Sequence, residues 1–180
     1  MNKYISMLRG INVGGQKKVK MEDLRSLYES LGFQNICTYI QSGNVIFECE
    51  ITNMAVLKAE IEKAIEEKYQ FHVPVEIRTD QELKQIINNC PFDSIDINEE
   101  GAKYLVTFLS SIPLESKVSE IHKSVSAPED LVVSGQEIYL NCPNGYGKSK
   151  LSNTFIESKL GIKATTRNWK TVNKLYELSK

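Results

Sequence analysis

Ser42-Gly43-Asn44-Val45-Ile46-Phe47 and Ser134-Gly135-Gln136-Glu137-Ile138-Tyr139 read as one hairpin written twice, 92 residues apart. In each, a short polar turn containing glycine leads into β-branched and aromatic residues, the signature of a hairpin's second strand. The runs before the turns, Ile36 to Gln41 and Leu131 to Val133, supply the first strands.

The flanking segments repeat in the same order. Residues 3–9 form a short strand, and Met21, Leu24, Tyr28 and Leu31 then fall on one helical face that Gly32 stops. Thr52 caps a second helix with Leu57, Ile61 and Ile65 inward, and Val75 to Arg78 is a fourth strand. Thr79-Asp80-Gln81-Glu82 is a capping box opening a helix with Leu83, Ile86 and Ile87 inward, which ends before Pro91. The second half offers a strand at Tyr104 to Leu109 and a helix from Ser111 and Pro113 with Leu114, Val118, Ile121 and Val125 on one face. After the second hairpin, Ser149 caps a helix running to Leu160, Gly161 stops it, and a short strand spans 162–165. Asn168 caps a last helix with Trp169, Val172 and Tyr176 on one face. Two successive β-α-β-β-α-β runs predict an α+β fold, a tandem duplication of ferredoxin-like units with an extra C-terminal helix. The acidic stretch 93–101 is the expected boundary. It divides a first unit with its connecting helix, 1–92, from a second unit with the C-terminal helix, 93–180, as two domains or as halves of one compact domain.

With 180 residues, 41% hydrophobic and 25% charged, the chain can bury a core of ordinary size. No stretch approaches the ~18 consecutive apolar residues of a membrane span, and residues 1–9 read as a strand rather than a signal peptide, so a cytoplasmic protein with no membrane partner is expected. Cys37, Cys49, Cys90 and Cys142 lie far apart without zinc-like spacing, and His72 and His122 neighbour no ligand-spaced Cys, Asp or Glu. A metal site, a histidine-based triad and a cofactor are therefore not expected. Charge is segregated: residues 1–25 carry six Lys/Arg against two acids, 148–180 eight against two, and 26–147 eight against nineteen. Two basic ends around an acidic middle suggest an anion-binding face.

In the ferredoxin-like topology the third strand lies between the first and second, antiparallel to both. The end of strand one, the turn between strands two and three and the start of helix one then share a sheet edge. That brings Arg9, Gly10, Asn12, Gly14 and Gly15 beside Gln41, Ser42 and Asn44, with Lys17, Lys18 and Lys20 before the helix. Glycines allow close backbone approach, and the free N–H groups and dipole of a helix start favour negative charge. These residues form the predicted ligand-binding set, with Arg167 and Asn168 as further members. In Thr165-Thr166-Arg167-Asn168-Trp169, Arg167 stands beside a helix start with hydroxyls nearby, as in an anion clamp. A secondary anion site is expected at Lys148 and Ser149, where Asn141-Cys142-Pro143-Asn144-Gly145-Tyr146-Gly147-Lys148-Ser149 ends like a phosphate loop. Cys142 stands where that motif needs its first glycine, so a nucleoside-triphosphatase is not expected.

Met7-Leu8-Arg9-Gly10-Ile11-Asn12-Val13-Gly14-Gly15, Met21-Glu22-Asp23-Leu24, Thr38-Tyr39-Ile40-Gln41-Ser42-Gly43-Asn44-Val45 and Ala164-Thr165-Thr166-Arg167-Asn168-Trp169-Lys170-Thr171-Val172 resemble the bacterial domain-of-unknown-function 1697 family. The resemblance spans essentially the whole chain and is weakest over 90–130. It implies the tandem ferredoxin-like fold and a signature including Arg9, Asn12, Gln41, Ser42, Asn44, Arg167 and Asn168, and it brings no established activity. The leading expectation is an uncharacterised cytosolic protein that binds a small anionic ligand, a nucleotide or nucleic acid at the edge of the 9–15 loop and 41–44 turn. The alternatives are a transferase or hydrolase acting on a phosphorylated or carboxylated metabolite, and a protein-interaction module. Whether the chain is an enzyme, which groups would be catalytic and what its oligomeric state is are open at this level. An RNP-type RNA reader is not indicated: Tyr4, Tyr39 and Phe47 stand on the central strands without that motif.

Overall fold

The computed structural model describes all 180 residues, Met1 to Lys180. Its elements run β1 (Asn2–Leu8), α1 (Met21–Ser30), β2 (Gln34–Tyr39), β3 (Asn44–Cys49), α2 (Met54–Tyr69), β4 (Val75–Thr79) and α3 (Asp80–Asn88). They continue with α4 (Ile97–Glu100), β5 (Tyr104–Leu109), α5 (Glu115–Lys123), β6 (Asp130–Ser134), β7 (Glu137–Asn141), α6 (Asn153–Leu160), β8 (Ala164–Asn168) and α7 (Trp169–Leu178). Two four-stranded antiparallel sheets result, ordered β2-β3-β1-β4 and β6-β7-β5-β8, the strand order of duplicated ferredoxin-like units. Each repeat carries a third helix directly after its last strand, so α3 and α7 are equivalent elements. Contact density separates Met1–Lys84 with Leu175–Lys180 from Gln85–Lys174, so the division falls within α3 and within α7.

In the first unit, alternate residues of the sheet (Tyr4, Leu8, Val45, Phe47, Val75, Ile77) meet Leu24, Leu27 and Tyr28 of α1 and Leu57, Ile61 and Ile65 of α2. Phe47 is the hub: Phe33 stacks on it at 4.8 Å between centroids and Tyr28 meets it edge-on at 5.3 Å. The Tyr28 hydroxyl shares a 2.8 Å hydrogen bond with Ser6 Oγ, which satisfies both buried groups. In the second unit, Leu105, Leu109, Ile138 and Leu140 of the sheet pack with Ile121 of α5 and Ile156 and Leu160 of α6.

Several polar contacts recur in both repeats. Glu62 Oε1 accepts from Val75 N at 2.9 Å, and Glu157 Oε2 accepts from Ala164 N at 3.1 Å, so each second helix pins the first residue of the last strand. Arg78 and Arg167 are both buried, and each donates through Nη1 to the preceding carbonyl, of Ile77 at 2.8 Å and Thr166 at 3.0 Å. The repeats differ beside these arginines. Glu76 sits between Lys58 Nζ at 2.9 Å and Arg78 Nη1 at 3.7 Å, whereas Thr165 stands two residues before Arg167.

The two hairpins match less closely than their sequences suggest. Leu8 N donates to Gly43 O and Leu109 N donates to Gln136 O, each at 2.8 Å, so Gly43 is equivalent to Gln136 and not to Gly135. Pairing closes at Tyr39↔Asn44 in the first hairpin and Ser134↔Glu137 in the second. One turn therefore holds four residues, 40–43, and the other only Gly135 and Gln136.

Helix starts also depart from expectation. Asn53, not Thr52, caps α2 by accepting from Ala55 N and Val56 N, and Ser152, not Ser149, caps α6 by accepting from Phe155 N. Each true cap stands where its oxygen reaches the free N–H groups of the first turn. Leu114 is the residue before α5 and is 70% exposed, so it leaves the helix's apolar face. The 93–101 stretch contains α4, one short turn capped by Asp96. The capping box of α3 forms as expected, with Thr79 N donating to Glu82 Oε2 at 2.7 Å and Glu82 N to Thr79 Oγ1 at 3.1 Å.

Gly43 has φ +84°, and a Cβ there would meet Ile11 Cδ1 at 2.6 Å and Leu8 Cβ at 3.0 Å. Gly135 has φ +58° and open space around it. Gly43→Ala is expected to lower stability by at least ~2 kcal/mol, strain plus overpacking, and Gly135→Ala by only ~1 kcal/mol. Urea unfolding of the two variants side by side measures the difference.

Candidate functional site

The edge of the first sheet is built from the exit of β1. Leu8 N donates to Gly43 O, Arg9 N donates to Pro74 O at 3.0 Å, and half-buried Arg9 marks the point where the chain leaves the sheet. Gly10, at φ +72°, turns it, and Ile11 drops into the core at 1% exposure. Residues 12–17 then make a miniature hairpin. Asn12 N donates to Lys17 O at 3.1 Å and Gln16 N to Val13 O at 2.9 Å. Gly14 and Gly15, at φ +57° and +74°, supply the two left-handed positions of a type I′ turn. Val13 stands on the tip, 65% exposed.

Asn12 holds this projection in place. Its Nδ2 donates to Val19 O at 2.9 Å and to Gln41 O at 2.8 Å, and its Oδ1 accepts from Val19 N at 2.9 Å. The side chain thus ties the base of the loop to its return strand and to the hairpin turn. Its amide works inside the protein, while Gln41 keeps an exposed side chain. Buried Asn44 donates through Nδ2 to Tyr39 O at 3.0 Å and Ser42 Oγ at 3.1 Å, so Asn44 and Ser42 shape the turn from within.

Half of the chain's positive-φ residues lie in these two segments: Gly10, Asn12, Gly14, Gly15, Lys17, Ile40 and Gly43. Ile40 is the outlier, a β-branched residue at φ +51° and 45% exposed. Left-handed backbone at such a residue is strained, and strain of this kind gathers where a local shape serves function.

Asn12, Gly15, Lys18, Val19, Lys20 and Gln41 line a cleft of about 390 Å³ between the loop and the turn. Lys17 turns away, donating to His72 O at 2.8 Å. Lys18 and Lys20 are exposed, and their ammonium groups make no hydrogen bond or ion pair with the protein. Lys20 is also the residue before α1 and provides no side-chain cap, so the N–H groups of Met21, Glu22 and Asp23 have no protein acceptor. Glu22 and Asp23 answer the helix dipole from the first turn. Sequence reasoning placed the lysines only as flanks of the helix. The clustering of "Gln-Lys-Lys-Val-Lys" just before a helix was the available signal. Nothing in the sequence marks Ile40.

The remaining candidates lie in the second unit. Arg167 on β8 is 8% exposed, and burial lowers its guanidinium pKa to about 10. Asn168 Oδ1 accepts from Thr171 N at 2.8 Å and caps α7. Lys148 ends a single 3-10 turn, and Ser149 Oγ accepts from Leu151 N at 3.0 Å, four residues before α6 begins. No helix start therefore faces Ser149. Nearby Cys142 is buried, which pushes its thiol up to about 11 and makes it an inert core group. No three His, Cys, Asp or Glu side chains converge as a metal site would require, and no helix is long and apolar enough to cross a membrane.

Asn12→Ala removes three hydrogen bonds and places alanine at φ +55°. It is expected to destabilise the first unit by about 2–4 kcal/mol and to speed hydrogen exchange at the Val19 amide. Ile40→Asn, which relieves the left-handed strain at an exposed position, is expected to raise stability by about 1 kcal/mol, read as a higher urea midpoint.

Residues 1–139 match the family described as "protein of unknown function (DUF1697)", a span that contains the whole loop-and-turn edge and stops short of Arg167. No protein of curated function matches. Among solved structures, the conserved bacterial protein SP0830 from Streptococcus pneumoniae superposes with a TM-score of 0.74 at 24% identity, covering 99% of both chains, and shares the fold. The chain belongs to the DUF1697 family.

Proposed function

We propose that the first unit binds a phosphate-bearing anion in the cleft between the 12–20 loop and the 40–43 turn. The observation that carries this reading is the pairing of two unpartnered ammonium groups, Lys18 and Lys20, on the cleft that adjoins the uncapped start of α1. From Arg9 to Lys20 the chain has four cationic and no acidic side chains. Ammonium groups and free helix N–H groups are complementary to phosphate oxygens. The tie through Asn12 holds the cleft before a ligand arrives, which reduces the ordering entropy that binding must overcome.

Binding is favoured over catalysis because the cleft lining holds no His, Cys, Asp or Glu that could move a proton. Four cysteines, none in a disulfide, fit a reducing cytosolic setting.

Isothermal titration with sodium pyrophosphate at low ionic strength tests the reading. Wild-type protein is expected to bind, and Lys18→Gln with Lys20→Gln to weaken binding about tenfold, as two exposed charge contacts imply. Lys63→Gln, on α2 in an exposed pair with Glu67, is the control and should leave affinity unchanged. Equal affinity of the double variant and wild type would sink the proposal.

A further inference from the structure

The loop that forms the cleft is also attached to an aromatic pair. Lys17 follows the miniature hairpin, and its Nζ donates to His72 O at 2.8 Å while standing 5.9 Å from the centre of the Phe71 ring. Phe71 stacks with Tyr69 at 5.8 Å and 24° between planes. On the other side, Lys68 Nζ lies 5.6 Å from the Tyr69 ring centre and donates to Asp23 O of α1 at 3.1 Å. Both rings are half-buried at the margin of the first core. The Tyr69 hydroxyl is shielded from solvent and has no hydrogen-bond partner. A shielded, unsatisfied hydroxyl is unusual in a native fold and calls for an explanation.

We infer that single-stranded nucleic acid is the phosphate-bearing ligand of this edge: one phosphate occupies the Lys18–Lys20 cleft, and the strand continues past Lys17 so that a base stacks on the Tyr69–Phe71 pair. The inference rests on the anion-binding reading above and names its ligand class. Lys17 and Lys18 are consecutive, so the ammonium group at the aromatic pair and the one in the cleft are within a few nucleotides of each other. Lysines alternating with π-faces are the combination that tracks a backbone and stacks unpaired bases without reading their sequence. Each ring carries one lysine cation–π contact, Lys17 on Phe71 and Lys68 on Tyr69, weak enough to be exchanged for a base and a phosphate. A strand stacked on this pair would offer the Tyr69 hydroxyl the acceptor it lacks. Duplex nucleic acid keeps its base faces stacked inside and has nothing to offer the aromatic pair. Asp23, whose carbonyl holds Lys68, and Glu66, 3.6 Å from His72, bring negative charge to the band, so affinity depends on stacking as well as on counterion release.

The test is fluorescence anisotropy of a fluorescein-labelled 12-nucleotide oligo(dT) at about 50 mM salt, beside a duplex of the same length and the pyrophosphate titration. The single strand is expected to bind at least tenfold tighter than pyrophosphate and than the duplex. Phe71→Leu, which keeps an apolar side chain at the core margin, should weaken the oligonucleotide about tenfold and leave pyrophosphate unchanged. Tyr69→Phe, which keeps the ring, should retain stacking and verify that the margin still folds. The inference is overturned if Phe71→Leu binds the strand as wild type does, or if duplex and single strand bind alike. Pyrophosphate binding without any gain for the oligonucleotide overturns this inference and leaves the anion site standing. Absence of both bindings overturns the two together.

Discussion

The loop-and-turn edge of the first unit depends on one close contact, the seat of Ile11 against Gly43. A side chain at position 43 would overlap Ile11 Cδ1, so the hairpin turn reaches the exit of β1 only because glycine stands there. Three consequences follow from that approach. Leu8 N completes its bond to Gly43 O, Ile11 closes the core below the sheet edge, and the Gln41 carbonyl comes within 2.8 Å of Asn12 Nδ2. The cleft between loop and turn exists because these contacts hold its two walls together. Packing sets the position, and hydrogen bonds set the orientation.

Duplication supplied the frame twice, and the two copies have diverged at this edge. The first repeat inserts a glycine-rich, basic loop between Leu8 and Met21 and uses a four-residue hairpin turn. The second passes from Leu109 to Glu115 with exposed Ile112 and Leu114 and a two-residue turn. The shared contacts, Glu62 with Val75 and Glu157 with Ala164, belong to the frame. The long basic loop belongs to the first unit alone.

Much of this was legible in the residues. Periodicity located the strands and the main helices, although β8 lies at Ala164–Asn168, beyond the 162–165 expected, and the capping box at Thr79 and the cap at Asn168 formed as local chemistry requires. The 92-residue echo identified the duplication, yet it misaligned the hairpins by one residue, because sequence similarity does not report turn length. Thr52 and Ser149 looked like caps since any hydroxyl before a helical pattern does. The residue that caps is the one whose backbone enters the helix, and that is settled by packing of the first turn. Arg167 reads as an anion clamp beside a helix start, and in the fold its side chain is buried.

By itself the sequence determined the α+β class, the repeated strand order and the nearness of the β1 exit to the first hairpin, since alternation, helical spacing and antiparallel pairing are local rules with one compact solution. Only the tertiary structure decided which polar groups remain available. Asn12 and Asn44 use both amide hydrogens inside the fold, Arg167 is buried, and Lys18 and Lys20 keep exposed ammonium groups. Availability is set by what a side chain meets after folding, across residues far apart in the chain, and no local pattern encodes that.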